Sequence, residues 1–188
     1  MTLFQLFITS MLTENIILTK FLGICPFIGT SKRETSALGM GVSVTIVMVL
    51  SSIITYLIYN YVLIPTNTTY LRTLLFILVI SSMVQMSEVI IKNHFPKLNQ
   101  LLGLYLPLIA TNCAILGTTL LNVNNDYTFI QMLVFTLGSG LGFTLIIYIF
   151  STIRERMEFA RIPKCFRGAP IALITASIMA LVFSRYFG

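Results

Sequence analysis

Thr35-Ser-Ala-Leu-Gly-Met-Gly-Val-Ser-Val-Thr-Ile-Val-Met-Val-Leu-Ser-Ser-Ile-Ile-Thr-Tyr-Leu-Ile-Tyr-Asn-Tyr-Val-Leu-Ile-Pro-Thr-Asn-Thr-Thr-Tyr-Leu71 passes without one Asp, Glu, Lys, Arg or His. A helix needs about 20 mainly apolar residues to cross the hydrocarbon core of a bilayer, and this stretch holds one crossing with its flanking turn. Leu98 to Asn125, Tyr127 to Ile153 and Gly168 to Ser184 are equally free of charge. Over the 188-residue chain, 10% of residues are charged and 56% are apolar, where a water-soluble domain carries about a quarter charged. That balance excludes disorder, a secreted disulfide scaffold and an ordinary cytosolic enzyme. It predicts an all-α integral membrane protein with lipid as its main solvent.

Working outward, apolar runs of spanning length predict six transmembrane helices, near Leu3 to Ile24, Ala37 to Ile64, Leu71 to Ile91, Leu101 to Leu121, Thr128 to Phe150 and Ala169 to Phe187. The N-terminus has no Lys or Arg before Lys20 and no small-residue cleavage site, so it reads as retained membrane structure. Basic residues collect on cytoplasmic loops. Of the twelve, Lys32, Arg33, Lys92, Lys97, Arg154, Arg156, Arg161, Lys164 and Arg167 follow segments one, three and five, while Arg72 and Arg185 lie opposite. Both termini are therefore expected outside the cytoplasm. The net charge of +6 belongs to this topology and not to a nucleic-acid surface.

The chain also repeats itself. Cys25-Pro-Phe-Ile-Gly29 matches Cys113-Ala-Ile-Leu-Gly117, Gly39-Met-Gly41 matches Gly138-Ser-Gly140, and Arg72 before segment three matches Arg167 before segment six. The repeats run from about 1 to 95 and from about 96 to 188 in one membrane domain. Three spans is an odd number, so the second copy must enter the bilayer from the opposite side. In such inverted repeats helices break where backbone can face protein instead of lipid. Pro26 after Cys25, and Pro107 and Asn112 before Cys113, place the expected interruptions in helices one and four.

Two thiols in matching positions are half of what a 2Fe-2S cluster takes, since it normally has four thiolate ligands. Any such cluster would need another chain to supply the rest, and Cys25 and Cys113 are the candidate iron ligands on this one. Two other readings stand beside that one: buried cysteines that pack as small hydrophobes, and a disulfide between the pair. Cys165 falls outside the repeat pattern and reads as a bystander. The single His94 leaves no histidine-based metal site. Ionisable groups within a membrane are functional candidates by default. Lys20 and Glu88 are placed to snorkel to the interface. Glu14, beside Asn15, is a candidate for pairing with a partner helix or contacting a moving cation, with Asn112 as a further candidate for an ion or packing role. Gly39, Gly41 and the Gly138-x-Gly140-x-Gly142 series read as close helix packing.

The stretch Lys20-Phe-Leu-Gly-Ile-Cys-Pro-Phe-Ile-Gly29 with Ser31-Lys-Arg33, together with Leu106-Pro-Leu-Ile-Ala-Thr-Asn-Cys-Ala-Ile-Leu-Gly117, Ile153-Arg-Glu-Arg156, Tyr70-Leu-Arg-Thr73 and Phe166-Arg-Gly168, resembles the RnfA/NqrE family. The likeness covers essentially the whole chain and is nearer to the Rnf branch, although that branch usually has an Asn pair where Glu14-Asn15 stands. The resemblance implies a six-helix subunit of the bacterial inner membrane, paired with the homologous subunit RnfE in opposite orientation. It implies that Cys25 and Cys113 ligate a 2Fe-2S cluster between the two. Electrons would pass between flavin-bearing subunits and a cytoplasmic iron-sulfur subunit, coupled to Na⁺ or H⁺ translocation. The chain would then be part of an oxidoreductase without holding a complete active site. The rival readings are a secondary transporter, built on the same inverted plan, and a structural anchor with no redox role.

Overall fold

The structure is a computed structural model that describes residues 2–31, 34–66, 69–94, 112–158, 163 and 168–187. Among these, every regular element is helical: α1 (Leu3–Ile8), a π turn (Thr9–Thr13), α2 (Ile16–Lys20), α3 (Ile24–Thr30), α4 (Glu34–Ile58), a second π turn (Tyr59–Leu63), α5 (Ile64–Thr66), a 3₁₀ turn (Thr69–Leu71), α6 (Arg72–His94), α7 (Cys113–Asn124), α8 (Phe129–Glu158) and α9 (Ala169–Phe187). Two stretches are long and apolar enough to cross a membrane, Glu34–Leu63 and Phe129–Met157; Leu3–Thr13, Arg72–Met86, Cys113–Asn124 and Ala169–Phe183 are shorter apolar helices. The first half of the expected fourth segment and Cys165 lie outside the described residues.

The two long helices form the centre. Along α4 the buried positions Ala37, Met40, Gly41, Val44, Met48, Ser51 and Thr55 recur at helical spacing, as do Met132, Phe135, Ser139, Phe143, Ile146 and Phe150 along α8. Each helix therefore turns one stripe to the other. What distinguishes α4 from a soluble core helix is its other face: Leu38, Val42, Ile46, Leu50 and Leu57 are 42–56% exposed, while Ser43, Ser51, Ser52 and Thr55 are buried. Hydroxyls inside and aliphatic side chains outside is the arrangement for lipid solvent, where apolar exposure carries no penalty.

Where α4 and α8 cross, the contact is reciprocal. A Cβ placed on Gly41 would lie 2.7 Å from Thr144 Cγ2, and one placed on Gly140 would lie 2.6 Å from Thr45 Cγ2. Thr45 Oγ1 donates to Gly41 O at 2.8 Å, Thr144 Oγ1 donates to Gly140 O at 2.9 Å, and the two hydroxyls stand 3.3 Å apart. Each helix thus lends a glycine gap to the other's threonine, which lets two backbones approach without a polar orphan. Gly41 and Gly140 are members of the matched glycine pairs, and their packing role is as expected from the sequence.

The first apolar segment is broken twice. Glu14 N–H reaches back five residues to Thr9 O at 2.8 Å, closing the π turn. Asn15 then leaves helical geometry at ψ 116° and restarts the chain: its Oδ1 accepts from Ile17 N at 3.2 Å and its Nδ2 donates to Met11 O at 3.1 Å. α2 ends when Phe21 takes φ 54° and Leu22 N–H bonds back to Ile16 O; Gly23 at φ 84° turns the chain into α3. Pro26 is not the breaker. It lies in the first turn of α3, where a missing N–H costs nothing because that group would have no helical partner.

Candidate functional site

Cys25 is the second residue of α3 and Cys113 the first of α7, and both are exposed. The turn before α3 packs on the start of α7. A Cβ on Gly23 would meet Ala114 Cβ at 3.1 Å and Asn112 Oδ1 at 3.2 Å, the two residues that flank Cys113. One turn further along α7, a Cβ on Gly117 would touch Leu22 Cδ1 at 2.5 Å. Cys25 follows Gly23 by two residues, a reach of at most about 7 Å. The fold therefore brings two helix starts together from opposite halves of the sequence and leaves both thiols at the chain's surface. Among the described residues, no three His, Cys, Asp or Glu side chains gather as a metal site.

Asn112 and Asn15 do the same local work in the two halves. Asn112 leaves helical geometry at ψ 108°, and its Oδ1 accepts from Ala114 N at 3.0 Å, as Asn15 Oδ1 accepts from Ile17 N. An asparagine at this position satisfies one of the helix's free N–H groups. Both are buried, Asn15 at 2% and Asn112 at 3% exposure. Glu14 is exposed and lies outside this buried layer. Its carboxylate, together with burial as the larger cause, raises the Tyr127 phenol above its ordinary range, against a hydrogen bond with Asn125 that lowers it. The backbone of Glu14 adjoins Asn15, which packs against Gly142 in the middle of α8. Lys20 is exposed at the end of α2; the side chain of Glu88 lies outside the described residues.

Three residues outside the predicted site set hold α3 in place. Phe27 stacks on Phe150 of α8, with ring centroids 4.2 Å apart. One turn beyond Phe150, Arg154 Nη1 donates to Ile28 O at 2.6 Å and to Ser31 Oγ at 2.8 Å. A guanidinium at a helix C-terminus satisfies a carbonyl that lacks an intrahelical partner and opposes the negative end of the helix dipole. Hydropathy alone puts Arg154 in a loop, because an apolar run stops at the first charge. The good helix formers Arg154-Glu-Arg-Met-Glu158 instead carry α8 about two turns further. Arg154→Met is expected to cost about 1.5–3 kcal/mol, the range for hydrogen bonds to a charged group. Maleimide labelling of Cys25, in a chain lacking Cys113 and Cys165, should accelerate with it. An unchanged labelling rate and an unchanged melting temperature would remove Arg154 from any role in holding α3.

Comparison with known proteins places these features in company. A family model described as "Rnf-Nqr subunit, membrane protein" matches residues 3–187. The chain is 50% identical over 188 residues, all of this chain and 98% of its relative, to the A subunit of the Na⁺-translocating ferredoxin:NAD⁺ oxidoreductase complex of Acetobacterium woodii. It is 48% identical to the A subunit of the ion-translocating oxidoreductase complex of Sodalis glossinidius, covering 98% of this chain and 95% of that one. Against the protein of the same name in Vibrio cholerae the identity is 46%, over 97% of this chain and 95% of the relative.

Proposed function

Since this chain belongs to the Rnf-Nqr family of membrane proteins and is a membrane subunit of an ion-translocating oxidoreductase complex, we propose that it relays electrons by holding half of a 2Fe-2S cluster through Cys25 and Cys113. The observation that carries this reading is the meeting of the two cysteine-bearing helix starts, with both thiols turned outward. Soft sulfur donors suit iron-sulfur clusters, and two exposed thiols carried by adjoining helix starts suit a cluster completed from a neighbour. When bound, such a group supplies a one-electron relay. The chain's own residues do the rest: Asn112 caps the helix that presents Cys113, while Arg154 and Phe150 hold the helix that presents Cys25.

The partner in this proposal is the homologous subunit RnfE, which supplies the other two thiolates. The flavin-bearing subunits and the cytoplasmic iron-sulfur subunit lie at either end of the relay, in a bacterial inner membrane, with Na⁺ or H⁺ as the ion moved. The architecture proposed with it is six spans in two inverted three-helix repeats, both termini outside the cytoplasm. One matched feature supports the repeat: the reciprocal glycine-threonine crossing. Co-expression with the homologous subunit tests the relay. The purified pair is expected to contain iron and acid-labile sulfide in equal amounts and to give a 2Fe-2S spectrum on reduction, and this chain purified alone should give neither. A folded pair without iron sinks the proposal, whether it then behaves as a carrier or only as an anchor.

A further inference from the structure

α7 carries a second concentration of polar atoms at the end away from Cys113. Asn122 stands nine residues on, about 13.5 Å along the axis at about 1.5 Å per residue. It is 5% exposed. Its Nδ2 donates to Thr136 Oγ1 of α8 at 3.0 Å, and Thr136 Oγ1 donates to Ser52 Oγ of α4 at 3.3 Å, so one chain of side chains joins three helices. Ser51 adjoins Ser52, and Ser139 lies one turn along α8 from Thr136; both are buried. Asn122 Oδ1, Ser51 Oγ and Ser139 Oγ have no hydrogen-bond partner among the described residues.

Unsatisfied buried polar atoms are uncommon in native structures and call for an explanation such as a bound ion. An amide oxygen can only accept, so whatever completes Asn122 Oδ1 must bring positive charge or a donor hydrogen. Neither an amide nor an aliphatic hydroxyl takes up or releases a proton near neutral pH, so this cluster cannot serve as a protonation site. Oxygen donors suit hard cations. With no carboxylate in the set, only oxygen dipoles offset the ion's charge in a low-dielectric interior, and one positive charge asks far less of them than two.

We infer that this cluster binds one dehydrated monovalent cation of Na⁺ size, anchored by Asn122 Oδ1 with the hydroxyl oxygens of Ser51, Ser52, Thr136 and Ser139 as the neutral donors around it. The site is separate from the cysteines and does not depend on the cluster they are proposed to hold. It gives the ion a station between α4, α7 and α8, whose packing also carries the glycine-threonine crossing.

The test uses the assembled complex, with ²²Na⁺ binding at equilibrium and the Na⁺ concentration giving half-maximal electron transfer. Asn122→Leu is expected to weaken ²²Na⁺ binding and raise that concentration about tenfold or more, the usual scale for losing a metal-site group. Ser51→Ala and Ser139→Ala should shift it in the same direction by less, and Ser177→Ala, an exposed hydroxyl bonded within α9, should not. If Asn122→Leu fails to assemble, the two serine variants still give the readout. Unchanged binding and unchanged Na⁺ dependence in assembled serine and asparagine variants overturn the inference and leave ordered water as the occupant. The 2Fe-2S spectrum should persist in every variant. Its loss in wild type would sink the relay and not this site.

Discussion

Cys25→Ser and Cys113→Ser are each expected to abolish the 2Fe-2S signal of the assembled pair, while Cys165→Ser retains it in full. Serine matches cysteine in shape but replaces a soft thiolate by a hydroxyl that stays protonated near neutral pH, so one substitution removes a ligand from a set of four. Both thiols are exposed in the chain, and surface substitutions usually move stability by no more than about 0.5 kcal/mol. Signal loss should therefore come without loss of fold. This separates ligation from packing: a cysteine that merely filled space would lower the melting temperature and leave any spectrum in place. Retention of the full signal in either single variant, measured by electron paramagnetic resonance on the reduced pair, would dismiss that cysteine as a ligand.

Gly142→Val is expected to destabilise the complex through a different route. A Cβ at this position would stand 2.6 Å from Met11 O and 2.9 Å from Asn15 Nδ2. The first of these is backbone and has no rotamer to relieve the clash. The second belongs to the side chain that joins the π turn to α2. Gly138, one turn earlier, faces Ser10 and Phe7 O in the same way, so the pair forms the bed on which the broken first segment lies. Overpacking a well-filled site costs about 1–3 kcal/mol when side chains can adjust, and more when backbone must move. Against a total stability of about 5–15 kcal/mol, a shift of α1 and α2 off α8 would also displace the Cys25 turn. Thermal scanning of the detergent-solubilised complex should show a lower and broader transition with reduced yield. A melting temperature equal to wild type would refute the contact's importance.

Several features of the fold were legible in residue types alone. The uncharged run from Thr35 to Leu71 became α4 with its π continuation, and the matched Gly41 and Gly140 marked the crossing of the two central helices. Interruption of the first segment was expected beside Cys25, and one break does fall at Phe21-Leu22-Gly23, two residues before it; the other, at Glu14-Asn15, had no signal that was read. Pro26 drew attention because proline breaks helix interiors, but in a first turn it is compatible with the helix. Phe21 gave no warning at all, since a left-handed conformation is unusual for an aromatic residue and here follows from the bond of Leu22 N–H to Ile16 O.

Composition and spacing by themselves determined the lipid solvent and the helical class, and the quoted motifs carried the likeness to the family, because hydropathy and local motif are properties of short stretches of chain. Only the tertiary structure decided that Gly23 lies against Asn112 and Ala114, that Arg154 grips the end of the Cys25 helix, and that Asn122, Thr136 and Ser52 meet. These contacts join residues up to 126 positions apart. They depend on how helices cross, and a crossing is set jointly by the small residues and hydroxyls of both partners, so neither helix's own sequence contains it.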